Sequence, residues 1–102
     1  MPDEKIKNAT IDGTMLGIEH GCFTYMLYLE YEAGVQGAGG IKLDSYEECG
    51  NYLKHLLETI GVSQWEHLKG KYVRAVLENG RVVRIGHIVE NKWFDVVPED
   101  GK

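Results

Sequence analysis

No apolar run in this 102-residue chain approaches the roughly 20 residues that cross a bilayer as a helix. The start, Met1-Pro2-Asp3-Glu4-Lys5, lacks the basic and apolar stretches of a signal peptide, so a cytosolic protein is expected. Cysteine is scarce. Cys22 and Cys49 stand alone and in the cytosol are expected to stay reduced. With His20 and His55 they match no zinc-knuckle spacing, and Cys49 and His55, six apart on a helix, diverge; no metal and no cofactor are expected. Positive charge is also short. Eleven Lys and Arg against sixteen Asp and Glu leave a net −5, which argues against long nucleic acid, whose binders neutralise many phosphates. A single small nucleotide remains compatible. Carboxylates paired for acid–base work are missing, and His20 and Cys22 are poorly placed on a strand to act together, so an enzyme is not expected. Without repeats, low-complexity segments or linkers, residues 1–102 read as a single domain with polar ends at 1–4 and 98–102.

Arginine is the informative exception. All three, Arg74, Arg81 and Arg84, fall on one stretch that reads as a β-hairpin. Residues 69–92 hold six of the eleven basic side chains and only two acids, a local +4. The planar fork of arginine suits phosphate and carboxylate, so this excess points to a small anionic ligand or to the acidic face of a neighbouring subunit. Asn79-Gly80 between β-rich runs is a type I′ turn signal. A two-residue loop sets Glu78 against Arg81, Val76 against Val83, Arg74 against Ile85 and Tyr72 against His87. One face then carries Tyr72, Arg74, Val76, Glu78, Arg81, Val83, Ile85 and His87. The other carries Val73, Ala75, Leu77, Val82, Gly86 and Ile88, with Arg84 as an intruder on a core face.

The remainder reads as α+β: N-terminal strands, a main helix, a short second helix, then the hairpin, with the strands forming an antiparallel sheet. Residues 5–19 make a strand or strand pair broken at Asp12-Gly13 and at Gly17. Residues 22–32 alternate Phe23, Tyr25, Leu27, Leu29 and Tyr31 on one face, and the opposite face is apolar enough to be covered or to meet another subunit. Residues 33–40 read as a glycine-rich loop. Ser45-Tyr46-Glu47-Glu48 is a capping box for a helix whose Leu53, Leu56, Leu57 and Ile60 run to Gly61. Gly50 in that helix either admits a close backbone or marks a start nearer Asn51. Ser63-Gln64-Trp65-Glu66 is a second box, opening a short helix that ends at Gly70.

Three groups are candidate ligand sites. Tyr72, Arg74 and His87, with Arg84 nearby, offer an aromatic ring for a base and a cation for phosphate; the alternative is a solvated sheet face with an ion pair. Gln36, Gly37 and Gly39 lie where successive backbone amides can cradle an anion, although no phosphate-loop motif is present and a wide turn explains the glycines equally. Asn91, Trp93 and Phe94 follow the last strand and either stack a base, seal a subunit interface or close the core edge.

Read together, several runs resemble a phage and prophage family. They are Ile6-Lys7-Asn8-Ala9-Thr10-Ile11-Asp12-Gly13-Thr14-Met15-Leu16-Gly17, His20-Gly21, Gln36-Gly37-Ala38-Gly39-Gly40, Trp65-Glu66-His67-Leu68-Lys69-Gly70-Lys71-Tyr72-Val73-Arg74, and Ile85-Gly86-His87-Ile88 leading to Lys92-Trp93-Phe94. The chain is similar over residues 6–94 to the first type of Thoeris anti-defence protein, a sponge for nucleotide signals. The resemblance implies a homo-oligomer built from dimers, acting in the host cytoplasm. It also implies non-catalytic sequestration of cyclic ADP-ribose isomers and, in some members, of small cyclic oligonucleotides. The alternative is a phage-encoded interaction protein that inhibits a host defence protein directly. Members carry an acidic residue between Glu19 and His20, an aromatic where Ala38 stands, and a longer segment between Asp44 and the helix. A ligand site lined by that segment would be altered here.

Overall fold

The computed structural model describes residues 4–45 and 47–96; the polar ends and Tyr46 of the first capping box lie largely or wholly outside them. Six strands, β1 (Glu4–Glu19), β2 (Cys22–Tyr31), β3 (Gly34–Gly39), β4 (Tyr72–Glu78), β5 (Arg81–His87) and β6 (Trp93–Asp95), form one antiparallel sheet ordered β3-β2-β1-β4-β5-β6. A single helix α1 (Cys49–Ile60) and 3₁₀ turns at Leu43–Ser45 and Trp65–His67 occupy the stretch between β3 and β4. The expected α+β class is what forms. None of the helices described is long and apolar enough to cross a membrane.

The sheet curls because β1 serves both halves. Residues 4–10 pair with β4 and residues 10–19 with β2, and a bulge between Ile11 and Gly13 bends the strand between the two. β3 comes round against β5, closing the sheet toward a small barrel. Period-2 alternation then sends Ala9, Ile11, Leu27, Leu29, Ala38, Val73, Ala75 and Ile85 inward, all buried. α1 adds Leu56 and Ile60 and lies against β5 and β6. It stops at Gly61, in the left-handed region at φ 95°, whose N–H donates to the Leu57 carbonyl at 2.9 Å.

A chain of rings crosses the core. Trp65 meets Tyr25 edge-on, Tyr25 meets Tyr52, and Tyr52 meets Phe94 with centroids 4.9 Å apart. The Tyr52 hydroxyl donates to the Val96 carbonyl at 2.5 Å, so the Tyr25 hydroxyl, 2.9 Å away, is the donor to Tyr52. Tyr52→Phe removes the hydroxyl that links the Tyr25 hydroxyl to the Val96 carbonyl. It is expected to cost about 1–3 kcal/mol, read as a lower midpoint in urea with an unchanged slope.

Several local expectations change. Residues 5–19 are one strand, and it turns into β2 through His20 and Gly21 at φ 54° and 78°, a type I′ geometry. The glycine-rich segment is not a loop but edge strand β3. Its glycines serve close approach: a Cβ at Gly39, φ 118°, would lie 2.8 Å from the Tyr25 carbonyl oxygen. The second capping box does not form, and the first rests on the side chains of Ser45 and Tyr46, which lie outside the described residues. α1 begins at Cys49 after Glu48, and the turn at Trp65 follows Gln64, with no side-chain cap bond at either. The second helix is a single 3₁₀ turn. β6 adds a strand to the hairpin, and the hairpin register slips. Glu78 faces Arg81 and Leu77 faces Val82, but Val76 then faces Arg84, Arg74 faces Gly86 and Val73 faces His87. Val83 is the bulged residue, and its carbonyl accepts from Val96 N–H at 3.0 Å. The slip reverses the faces of residues 84–87: Ile85, expected beside Arg74, turns into the core and Gly86 turns outward. Arg84 joins Arg74 on the outer face and His87 passes to the inner one.

Candidate functional site

Two rows of residues cross the outer face of the C-terminal half. Asn8, Arg74, Gly86 and Trp93 make one row; Ile6, Val76, Arg84 and Asp95 make the next. Gly86 is the gap in the first, and the Trp93 ring fills it. The Arg74 guanidinium carbon sits 4.5 Å from the Trp93 ring centroid. Its Nε donates to the His87 carbonyl at 2.7 Å and its Nη2 to the Glu90 carbonyl at 2.7 Å.

The loop from His87 to Lys92 is tied down along its length. His87 Nδ1 accepts from the N–H of Val89 at 3.1 Å and of Glu90 at 3.0 Å. Trp93 Nε1 donates to Asn91 Oδ1 at 2.7 Å. Lys92 pairs with Glu90 at 3.0 Å, and the hydrogen bond and charge of that lysine, with His87 behind, hold the Glu90 carboxyl below its ordinary range. Arg84 Nε donates to Asp95 Oδ1 at 2.9 Å, a half-exposed pair.

The fold thus gathers Arg74, His87, Asn91 and Trp93 into one cluster, but as partners of one another. The Nε and Nη2 donors of Arg74 are committed to the loop. Phe94 faces inward, 1 % exposed, between Tyr52 and His55, and closes the core. Gln36, Gly37 and Gly39 lie on β3, whose ladder partner is β2 and not a strand of the cluster.

Two hollows adjoin the cluster. The larger, about 550 Å³, lies between α1 and the β5–β6 loop and is lined by His55, Glu58, Thr59, Lys92 and Trp93. The smaller, about 380 Å³, brings Tyr72 and His87 together with Ile60, Gly70, Lys71 and Ile88. His55, Glu58 and Thr59 were not among the expected ligand residues; their i, i+3, i+4 spacing on a helix is the signal that groups them. Among the described residues no three His, Cys, Asp or Glu side chains gather where one metal ion could be held.

No protein-family model, curated protein or solved structure matches the chain.

Proposed function

We propose that the protein binds a small anionic nucleotide in the hollow beside Trp93 and holds it without turning it over. The observation that carries this reading is the fixed indole. Gly86, Arg74 and Asn91 immobilise Trp93 at the wall of a hollow that also presents Lys92, His55 and Glu58. A wall that is already ordered costs little rotamer entropy when a ligand docks against it. Lys92 and His55 supply donors for phosphate oxygens, and the Glu58 carboxylate accepts from ribose hydroxyls or a base amino group. About 550 Å³ falls within the span of small-molecule sites.

The family resemblance supplies the ligand class: cyclic ADP-ribose isomers and small cyclic oligonucleotides. It also supplies the setting, a phage anti-defence sponge in the host cytoplasm. A sponge works by stoichiometry and a slow off-rate, which ligand burial sets. Assembly into a homo-oligomer belongs to the same proposal; Ile18 at 79 % exposed and Tyr72 at 66 % are apolar positions that such contacts would cover.

Thermal shift with cyclic ADP-ribose isomers and cyclic di- and trinucleotides tests the reading. A bound nucleotide at a hundredfold excess over Kd is expected to stabilise by about 2.7 kcal/mol, and heat release should return it intact. Lys92→Ala should weaken binding by about tenfold or more while leaving the free protein's Tm nearly unchanged, since its exposed pair with Glu90 contributes about 0–1 kcal/mol. No shift with any of these nucleotides overturns the proposal and favours direct inhibition of a host protein. Recovery of an altered nucleotide would make the protein an enzyme.

A further inference from the structure

The opposite end of the molecule has a hollow of its own. Inward positions along β1 run Lys5, Lys7, Ala9, Ile11, so two lysines stand where the barrel's alternation otherwise places apolar side chains. Lys5 faces Leu77 and Lys7 faces Ala75 across the β1–β4 ladder. Here β1 starts and the β2–β3 and β4–β5 turns meet it, leaving an opening of about 260 Å³ lined by Lys5, Lys7, Tyr31, Ala33, Leu77 and Gly80. Among the described residues that line it, none is acidic.

The charge in this mouth is only partly answered. Lys7 Nζ lies 2.9 Å from the carboxylate of Glu32, on the β2–β3 turn, and Lys5 makes no ion pair among the described residues. The partners differ in burial: the Lys7 side chain is 34 % exposed and that of Glu32 76 %. The acid can therefore swing into water and release the lysine cheaply, as exposed pairs contribute little. Leu77, 8 % exposed, forms an apolar floor, and Tyr31 is half-buried beside it.

We propose that this barrel mouth is a second binding site, taking a small aromatic phosphate monoester with the phosphate on Lys5 and Lys7 and the ring against Tyr31 and Leu77. Lysine binds phosphate as a compact point charge without bidentate geometry, which suits two flexible ammonium groups on one rim. The opening lies just below the usual volume range for small-molecule sites, so its ligand is smaller than the nucleotide assigned to the Trp93 hollow. Glu32 is the internal competitor: it occupies Lys7 until the phosphate displaces it.

Titration of ¹⁵N-labelled protein with phenyl phosphate tests the proposal, with inorganic phosphate and phenol as controls. Saturable shifts are expected at the amides of Lys5, Lys7, Ala33 and Gly80. Lys7→Met keeps the apolar stem and deletes the charge; it should weaken binding by about tenfold or more. Glu32→Gln should tighten it several-fold, and Lys92→Ala should leave it unchanged. The absence of saturable shifts overturns the site, as does equal affinity in Lys7→Met with amides outside the mouth undisturbed. Inorganic phosphate binding as tightly as phenyl phosphate removes the role of Tyr31 and Leu77 and overturns the assigned ligand. Shifts confined to His55, Lys92 and Trp93 overturn this site while leaving the nucleotide reading of the other hollow standing.

Discussion

Arg74→Ala is expected to destabilise the protein by about 3 kcal/mol, and Arg74→Lys by nearly as much. Each Arg74 hydrogen bond carries a charge, and such bonds contribute about 1.5–3 kcal/mol. One of the two runs to the exposed stretch of the loop, which lowers the sum. The stacking on Trp93 adds about 0.5–1 kcal/mol. Lysine can reach one carbonyl as a point donor but cannot span the 2.7 Å contacts to His87 and Glu90 together, nor lie flat on an indole. Urea denaturation gives the loss. Hydrogen exchange at His87, Val89, Glu90 and Lys92 locates it, because those amides protect only while the loop is closed. Stability and exchange unchanged in Arg74→Ala would mean that the guanidinium is free for a ligand after all. Loss of nucleotide binding in this variant alone would not identify Arg74 as a phosphate ligand, because the wall of the Trp93 hollow moves with the loop.

The sequence offers Arg74 as a ligand residue or as part of a solvated, ion-paired face, and its role in holding the loop depends on something that a sequence does not carry. Its acceptors are main-chain carbonyls of residues 87 and 90, and a carbonyl has no letter. What the sequence does carry is conformation forced by single residue types. Asn79 and Gly80 adopt φ 55° and 81°, as that pair demands, and Gly61 ends α1 at φ 95° because only glycine sits there at no cost. His20-Gly21 makes the same kind of turn but hides it, since the pairs that signal this turn are Asn-Gly, Asp-Gly and Gly-Gly. The bulge at Val83 has no local cause. Its carbonyl is claimed by Val96, thirteen residues on, so the register beyond Leu77 follows from tertiary pairing. A one-residue slip reverses faces, which is why His87 and Arg84 changed sides together. The glycines of β3 were legible as glycines needing space, but whether a loop or a neighbouring strand needed it depended on Tyr25 and Met26. The local basic excess did mark an organised region. It located the cluster without telling which charges face inward to the loop and which, like Lys92 with Glu90, pair at the surface.

Gly86→Ala should be damaging far beyond its one added methyl group, and the cause can be isolated. A Cβ at Gly86 would lie 2.4 Å from Trp93 Cζ3 and 2.5 Å from Cε3, inside any real contact. The backbone there is ordinary β, so strain in φ contributes nothing and the whole effect is steric. Either the indole lifts or strand β6 moves. Both outcomes separate the ring from Arg74 and disturb the bond from Trp93 Nε1 to Asn91. Overpacking of this kind costs about 1–3 kcal/mol, and a domain of this size loses roughly 4–8 °C in Tm per kcal/mol. Trp93 emission should shift as the ring moves, with Trp65, edge-on to Tyr25, as the undisturbed reference. The decisive comparison is a double-mutant cycle. In a Trp93→Leu background the space over residue 86 is open, so adding Gly86→Ala should cost less than about 0.5 kcal/mol, and the two losses should fail to add. Additive losses would show that Gly86 is needed for its backbone and not for the ring above it. Trp93 would then not be the fixed wall on which the nucleotide site depends.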